Sequence, residues 1–258
     1  MIFGCGYLAE IVVDAVISGI LSDYELVGVY SRTTSKAEYI VSKMKQNGKS
    51  CIACASLEDL LALKPDYLVE AASPAAMKGL ALPTLKNGTS IVTLSIGALA
   101  DTSFYNEVIK TAKGNNTRVY IVSGATGGFD VLRTTALMGN ATANFLNEKG
   151  SNRLRGSSVY TPALETEKRV VFSGTAREAI GVFPTGLNVS VAASLASVGP
   201  EKMKVTMLST PGFVGDTQRV EIKNDQVHAV VDVYSATPEI AGWSVVSTLL
   251  NITSPIVF

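Results

Sequence analysis

Apolar and polar positions alternate with two different periods along this chain, and the mix changes part-way. In roughly the first 123 residues, short apolar runs trade places with longer amphipathic stretches. "MIF" leads through a glycine turn into a helical stretch from about Leu8 to Ile20. "YELVGVY" predicts a strand, "SKAEYIVSKMKQNG" a helix, "SCIACA" a short strand and "SLEDLLAL" a helix. "PDYLVEAA" then predicts a strand, "SPAAMKGLALPTLKNG" a helix, and "TSIVTLS" and "RVYIVSG" two more strands. Ser35 and Glu38 have capping-box spacing, and Ser56 is placed to cap the helix after it. Strands alternating with helices at this interval predict parallel βαβ units, hence an α/β fold with a Rossmann-type doubly wound parallel sheet. Only three residues precede Gly4, so the first strand is expected to be unusually short.

After "SGATGGFD" the texture changes. A helix is expected from about Asp130 to Met138, followed by a polar, glycine-containing stretch near residues 147–158. "KRVVFSG" predicts a strand, "AREAIGVF" a helix opened by Thr175 and Glu178, and "LNVSVAASLASVG" a helix of small residues. "KVTMLST" is strand-like, and "QRVEIKNDQVHAVVDVY" folds at Asn224-Asp225 as a hairpin. The pattern predicts a second α+β domain with a largely antiparallel sheet. The expected boundaries are 1–123 for the first domain and 124–237 for the second, with a C-terminal helix, 238–258, packing back on the first. Trp243, Val246, Leu249 and Leu250 fall on one face of that helix, and its interspersed Ser, Thr and Asn residues and Pro255 argue against a bilayer span.

Composition narrows the function classes. Twenty-two Lys and Arg balance 22 Asp and Glu in 258 residues, 47% of them hydrophobic. Such a chain offers neither a basic stripe for nucleic acid nor a polybasic patch for a membrane, and suits a soluble protein handling a small molecule. Cys51 and Cys54 form a lone C-x-x-C without a second pair or a neighbouring histidine, so no metal site is expected. The opening residues lack the pattern of a secretory signal, which points to the cytoplasm.

The glycine turn carries the first chemistry. Gly4-Cys5-Gly6 with Ala9 matches G-x-G-x-x-A between a strand and a helix. There the first glycine permits the turn, the second lets backbone approach a pyrophosphate, and Tyr7 and Leu8 begin the helix whose amide end faces the anion. S-adenosylmethionine, or no ligand at all, would suit the same turn; the motif's position favours a dinucleotide. The end of the second strand chooses between cofactors. NAD-type pockets place an acid there for the ribose 2′-hydroxyl, whereas this chain has Ser31, Arg32 and Thr33 and no acid until Glu38. A guanidinium and two hydroxyls favour a 2′-phosphate, so NADP is expected over NAD.

Four stretches resemble the L-aspartate dehydrogenase family: "VEAASPAAM" (69–77), "LSIGALAD" (94–101), "SGATGGFD" (123–130) and "FSGTAREAIGVFPTGLNVSVAASLA" (172–196). The resemblance implies a Rossmann domain joined to a dimerising α/β domain and an NAD(P)-dependent oxidation of L-aspartate to iminoaspartate. It also implies that Ala125 and Asn188 contact the cofactor, that Ala72, Ser73 and the "SIGALAD" turn line its nicotinamide side, and that the protein is a homodimer.

One position departs from the family. Its general acid/base is a histidine 30 residues beyond the asparagine matched by Asn188, and that count lands on Gln218. Gln218 shares a strand face with Val220 and Ile222, but a carboxamide has no pKa near neutrality and cannot shuttle a proton. Asp216, two residues earlier, is the better substitute, with water as the other carrier; His228, on a partly polar strand face, is not expected to act. Arg153 and Arg155 are loose matches for a basic segment that holds the dicarboxylate in the family. The expectation is an oxidoreductase acting on a small amino or oxo acid; the alternative is a cofactor-binding sensor or assembly protein without turnover. A methyltransferase is disfavoured by Ser31-Arg32-Thr33 and by the second domain.

Overall fold

The computed structural model describes residues 1–184 and 186–258; Thr185, inside the "FPTGLN" stretch, lies outside the described residues. Two compact units divide the chain: residues 1–122 with 241–258, and residues 123–240.

The first unit holds β1 (Ile2–Phe3), α1 (Tyr7–Ile17), β2 (Gly28–Tyr30), α2 (Thr34–Gln46), β3 (Ile52–Ala53), α3 (Leu57–Ala62), β4 (Tyr67–Glu70), α4 (Pro74–Lys86), β5 (Ser90–Thr93), α5 (Thr102–Gly114) and β6 (Val119–Ile121). Its six strands are all parallel and ordered β3-β2-β1-β4-β5-β6. The order reverses between β1 and β4, the topological switch point at which doubly wound sheets bind ligands. β1 is only two residues long, yet Ile2 is buried between β2 and β4 and the Met1 carbonyl extends the ladder by accepting from Val69 N at 2.9 Å. Leu68, Val69, Ile91 and Val92 continue the sheet core, and Val12, Ile40, Met77 and Leu80 come to it from the helices.

Two local expectations fail here. The Ser35–Glu38 capping box does not form: α2 starts at Thr34, Thr33 is its N-cap without a side-chain bond, and Ser35 already lies inside the first turn. The segment between β5 and β6, for which the pattern predicts no helix, contains α5. Asp101 caps it by accepting from the amides of Ser103 and Phe104.

The C-terminal helix α9 (Glu239–Thr253) falls almost wholly in this unit. Its inward face is only half the one expected: Val246 and Leu249 of the predicted set point in, Trp243 and Leu250 do not. Val245, Val246 and Leu249 are buried, whereas Trp243 is 45% and Leu250 41% exposed. Close approach to α1 sets the rotation, because a Cβ on Gly242 would stand 2.6 Å from Ile11 Cδ1. Tyr24 Oη then donates to the Leu249 carbonyl at 2.7 Å.

The second unit contains α6 (Phe129–Leu137), β7 (Thr142–Gly150), β8 (Arg169–Thr175), α7 (Ala176–Val182), α8 (Asn188–Leu195), β9 (Lys204–Thr210), β10 (Asp216–Lys223) and β11 (His228–Ser235). The five strands are ordered β11-β10-β7-β9-β8, antiparallel except for the parallel pair β7–β9. The polar stretch expected near 147–158 begins as the end of β7, the central strand, and continues as a 3-10 turn over Ser151–Leu154. Thr175 and Glu178 form the predicted capping box. In the predicted hairpin, Asn224 Oδ1 accepts from the amides of Gln226 and Val227 at 2.9 and 2.8 Å.

One face of this sheet is buried. Ala143, Phe145, Val205, Met207, Val220 and Ile222 pack with Leu132 of α6, Ala176 and Ala179 of α7, and Ala193 of α8. The buried face does not stay apolar to its end.

Candidate active site

Gly4 closes β1 with φ +100°, and a Cβ there would stand 2.6 Å from the Ala71 carbonyl oxygen. Glycine is therefore required twice over, for the left-handed turn and for the approach to β4. Gly6, the N-cap of α1, has ordinary φ, and a Cβ there would meet nothing within 4 Å. That open space lies against a helix start that no side chain caps, the arrangement that lets an anion sit on backbone amides. Cys5 between them is buried, its Sγ 3.5 Å from the Tyr30 carbonyl, and burial pushes its thiol up to about 11. It stays a neutral packing residue.

A cleft of about 530 Å³ opens at this turn, within the usual range for a cofactor site. Gly4, Cys5 and Gly6 form one wall; Ser31, Arg32 and Thr33 form the end reached from β2; Ala72 and Ser73 face them from β4–α4. The first unit thus gathers eight of the expected cofactor residues in one cleft. Tyr7 and Leu8, in the first turn of α1, are not among its lining, and Tyr7 is mostly exposed. Lys36, from the first turn of α2, was not foreseen and adds a second cation beside Arg32.

Behind the Ala72–Ser73 wall sits Glu70, fully buried at the end of β4. Its Oε1 accepts from Ala72 N (2.9 Å), Ser73 N (3.0 Å) and Ser95 Oγ (2.9 Å), and its Oε2 from Thr93 Oγ1 (2.8 Å) and Ser95 N (3.1 Å). Burial raises its pKa, opposed by these bonds. One carboxylate thereby fixes both backbone turns that leave β4 and β5 on the cleft side of the sheet.

In the second unit, Gln218 and Asp216 lie together at the polar end of the buried sheet face. Cross-strand register sets Gln218 opposite Asn147 and Asp216 opposite Lys149, with Met207 and Ser209 beside them on β9. Gln218 is 5% exposed, and Asn147 and Ser209 are fully buried. Lys149 Nζ lies 3.5 Å from Asp216 Oδ1, and Arg153 Nη2 lies 3.4 Å from Asp216 Oδ2. Burial holds the Lys149 ammonium below the ordinary lysine range; Asp216 opposes that shift and Arg153 adds to it. Asn147 Oδ1, Ser209 Oγ and Gln218 Oε1 are buried without a hydrogen-bond partner, although Asn147 Nδ2 donates to the Thr217 carbonyl at 3.1 Å. Unsatisfied buried polar atoms cost stability, and three strands bring such atoms together here in a place that suits a polar ligand.

The remaining expected residues are also placed. Ala125 lies in the 123–128 turn and Asn188 opens α8; the two segments meet where a Cβ on Gly124 would stand 3.3 Å from Val189 Cγ2. His228 is exposed and pairs with Glu221 at 2.9 Å, remote in register from Gln218. Arg155 is taken up by Glu165 at 2.9 Å and Arg177 by Glu201. Of the two arginines considered for the substrate, only Arg153 reaches the Asp216 cluster.

Comparison with known proteins agrees with both halves. Residues 4–122 match the model of the homoserine dehydrogenase NAD-binding domain, and residues 130–252 that of the aspartate dehydrogenase C-terminal domain. An L-aspartate dehydrogenase of Methanococcus maripaludis is 31% identical over 86% of this chain and 82% of its own length. The chain belongs to the L-aspartate dehydrogenase family. Another member, from Methanosarcina mazei, is 30% identical over 99% of this chain and 97% of its own. The crystal structure of aspartate dehydrogenase from Thermotoga maritima covers all of this chain and 97% of its own, with a TM-score of 0.78 at 26% identity.

Membership in the L-aspartate dehydrogenase family implies a bound nicotinamide cofactor, and the first unit fits one. Gly4 permits the turn, Gly6 leaves room for a diphosphate, and the cleft has the volume. Sequence reasoning missed Lys36, Glu70, Asn147, Lys149 and Ser209. Asn147 and Lys149 stand in "NEKG", where polar residues on both strand faces hide the alternation. Pairing that stretch against "DTQ" is the signal that would have exposed them.

Proposed function

We propose that this protein is an NADP-preferring oxidoreductase that transfers hydride between a small amino or oxo acid and the nicotinamide, with L-aspartate as the first substrate to try. The observation that carries the cofactor half is the cleft's adenosine end, where Ser31, Arg32, Thr33 and Lys36 come together without an acidic residue among the lining. Two cations and two hydroxyls suit a 2′-phosphate, which a carboxylate would repel.

The substrate half rests on the polar end of the second sheet. Lys149 and Arg153 both approach the single carboxylate of Asp216, and the guanidinium, which stays charged at any working pH, is the group open to an anionic substrate. Arg153, the more exposed of the two, pairs with a substrate carboxylate, and Gln218 orients the reacting group through its partnerless Oε1. Gln218 occupies the position of the family's acid/base histidine, so the proton passes to another carrier. Gly4, Gly6 and the start of α1 at Tyr7 and Leu8 hold the diphosphate, while Ala72, Ser73, Ala125 and Asn188 hold the rest of the cofactor. When bound, the cofactor supplies a two-electron hydride acceptor at its nicotinamide ring. The working form in this reading is a cytoplasmic homodimer assembled through the second sheet.

The carboxamide at position 218 also favours a second reading, a cofactor-binding sensor or assembly protein without turnover. Fluorescence titration with NADPH and NADH, followed by turnover of L-aspartate and of 2-oxo acids with ammonia, separates the two. Tighter NADPH binding with turnover is expected. Binding without turnover across the panel selects the sensor, and no binding of either nucleotide overturns both.

A further inference from the structure

We infer that Lys149, tuned by Asp216, is the proton-transferring group of this chain, doing from the neighbouring strand what the imidazole does elsewhere in the family. The inference rests on the dehydrogenase reading above. Its basis is geometric. Lys149 and Asp216 are directly opposed across β7 and β10, one step along the strands from the opposed pair Asn147 and Gln218. The amine is therefore delivered to the same buried face as Gln218, within one residue pair of it. A third strand closes the group, since Ser209 of β9 registers with Lys149 and is fully buried with its Oγ unpartnered. The loop before α8 borders the amine, since a Cβ on Gly186 would make ordinary van der Waals contact with Lys149 Nζ at 4.0 Å.

A lysine kept on a buried sheet face, held to its carboxylate by a contact as long as 3.5 Å, is poorly explained as a structural ion pair. The charged groups facing it are Asp216 from β10 and Arg153 from the turn after β7; β9 presents Ser209 and the loop before α8 presents Gly186, and neither titrates. Burial and Arg153 favour the neutral amine, and Asp216 alone favours the ammonium. The neutral amine is what a base requires.

The step balances. Neutral Lys149 Nζ takes one proton from the α-ammonium of the amino acid, leaving a free amine with a lone pair. A bound oxidised nicotinamide would supply the acceptor for the hydride that leaves Cα as the Cα–H bond breaks. The nitrogen lone pair closes the C=N bond as the substrate loses two electrons. The products are an iminium acid, reduced cofactor and a Lys149 ammonium beside the Asp216 carboxylate, which returns its proton to solvent.

The test compares wild type, Lys149→Arg, Asp216→Asn and Arg153→Gln with L-aspartate and NADP⁺ across pH. Lys149→Arg keeps the charge but cannot act as a base. It is expected to lose about 10²–10⁴-fold in kcat while NADPH affinity stays within about twofold. The basic-going rise of kcat/KM should move to lower pH in Asp216→Asn, which removes the carboxylate that favours the ammonium. It should move to higher pH in Arg153→Gln, which removes the opposing cation. Wild-type rates in Lys149→Arg, or a pH profile unmoved by either neighbour, overturn the inference. If wild type itself turns over no amino acid, the dehydrogenase reading has failed instead. The lysine is then judged by NMR titration of Nζ, which needs no turnover and keeps the question decidable should Lys149→Arg not fold. A midpoint below that of exposed lysines and lower still in Asp216→Asn is expected, and an ordinary midpoint overturns the inference.

Discussion

Glu70 accepts five hydrogen bonds from four residues, and three of those donors are backbone N–H groups that cannot turn away. Glu70→Gln keeps the shape but must aim an NH₂ at one set of them. We expect a loss of about 1–3 kcal/mol of stability and weaker nucleotide binding through the displaced Ala72–Ser73 turn, both read by thermal unfolding with and without NADPH. Gln218 poses the opposite question, because its Oε1 lacks a partner. In a Lys149→Arg background, and if the pocket otherwise suits aspartate, Gln218→His should raise aspartate oxidation by about tenfold or more, as a general acid/base contributes about 10²–10⁴-fold. No rise, with NADPH affinity unchanged, would mark a different substrate. Both residues show where reading a sequence reaches its limit. Gln218 could be found by counting from Asn188 along an alternating strand, whereas Glu70 sits in an apolar strand whose pattern gives no hint that five donors converge there.

At the scale of elements, the turn from β2 into α2 carries the proposed preference for a 2′-phosphate. Arg32 and Lys36 both line the cleft there, one from the turn and one from the first helical turn. Charge-assisted bonds contribute about 1.5–3 kcal/mol each, so Arg32→Ala with Lys36→Ala should weaken NADPH binding by about 10²- to 10⁴-fold and NADH by less than about threefold. Equal losses for both nucleotides would count against a 2′-phosphate site. The elements of the first unit other than α5 were readable because each βαβ step has its own apolar run and punctuation. β7 was not, since its outer half alternates one polar residue with another, Asn147 and Lys149 inward, Glu148 outward. A strand that builds a polar site loses the pattern that would reveal it. Likewise α9 shows an apolar spread wide enough to suggest a face turned partly away from the buried one, and the close approach of Gly242 to Ile11 fixes its rotation.

For the whole molecule, the first unit is assembled from both ends of the chain, with the second unit inserted between them. Leu249, 3% exposed, is part of the core of the nucleotide-binding unit although it is encoded far from the rest of it. Leu249→Ala should cost about 2–5 kcal/mol, lowering the melting temperature by about 2–4 °C for each kcal/mol. Saturating NADPH should restore part of the loss through its own binding energy. An unchanged melting temperature would mean that α9 is dispensable to that unit. During synthesis the same arrangement imposes an order of events. The nascent Rossmann sheet leaves the ribosome with the seat for α9 bare, and it must wait while more than a hundred further residues emerge and fold before its last helix arrives.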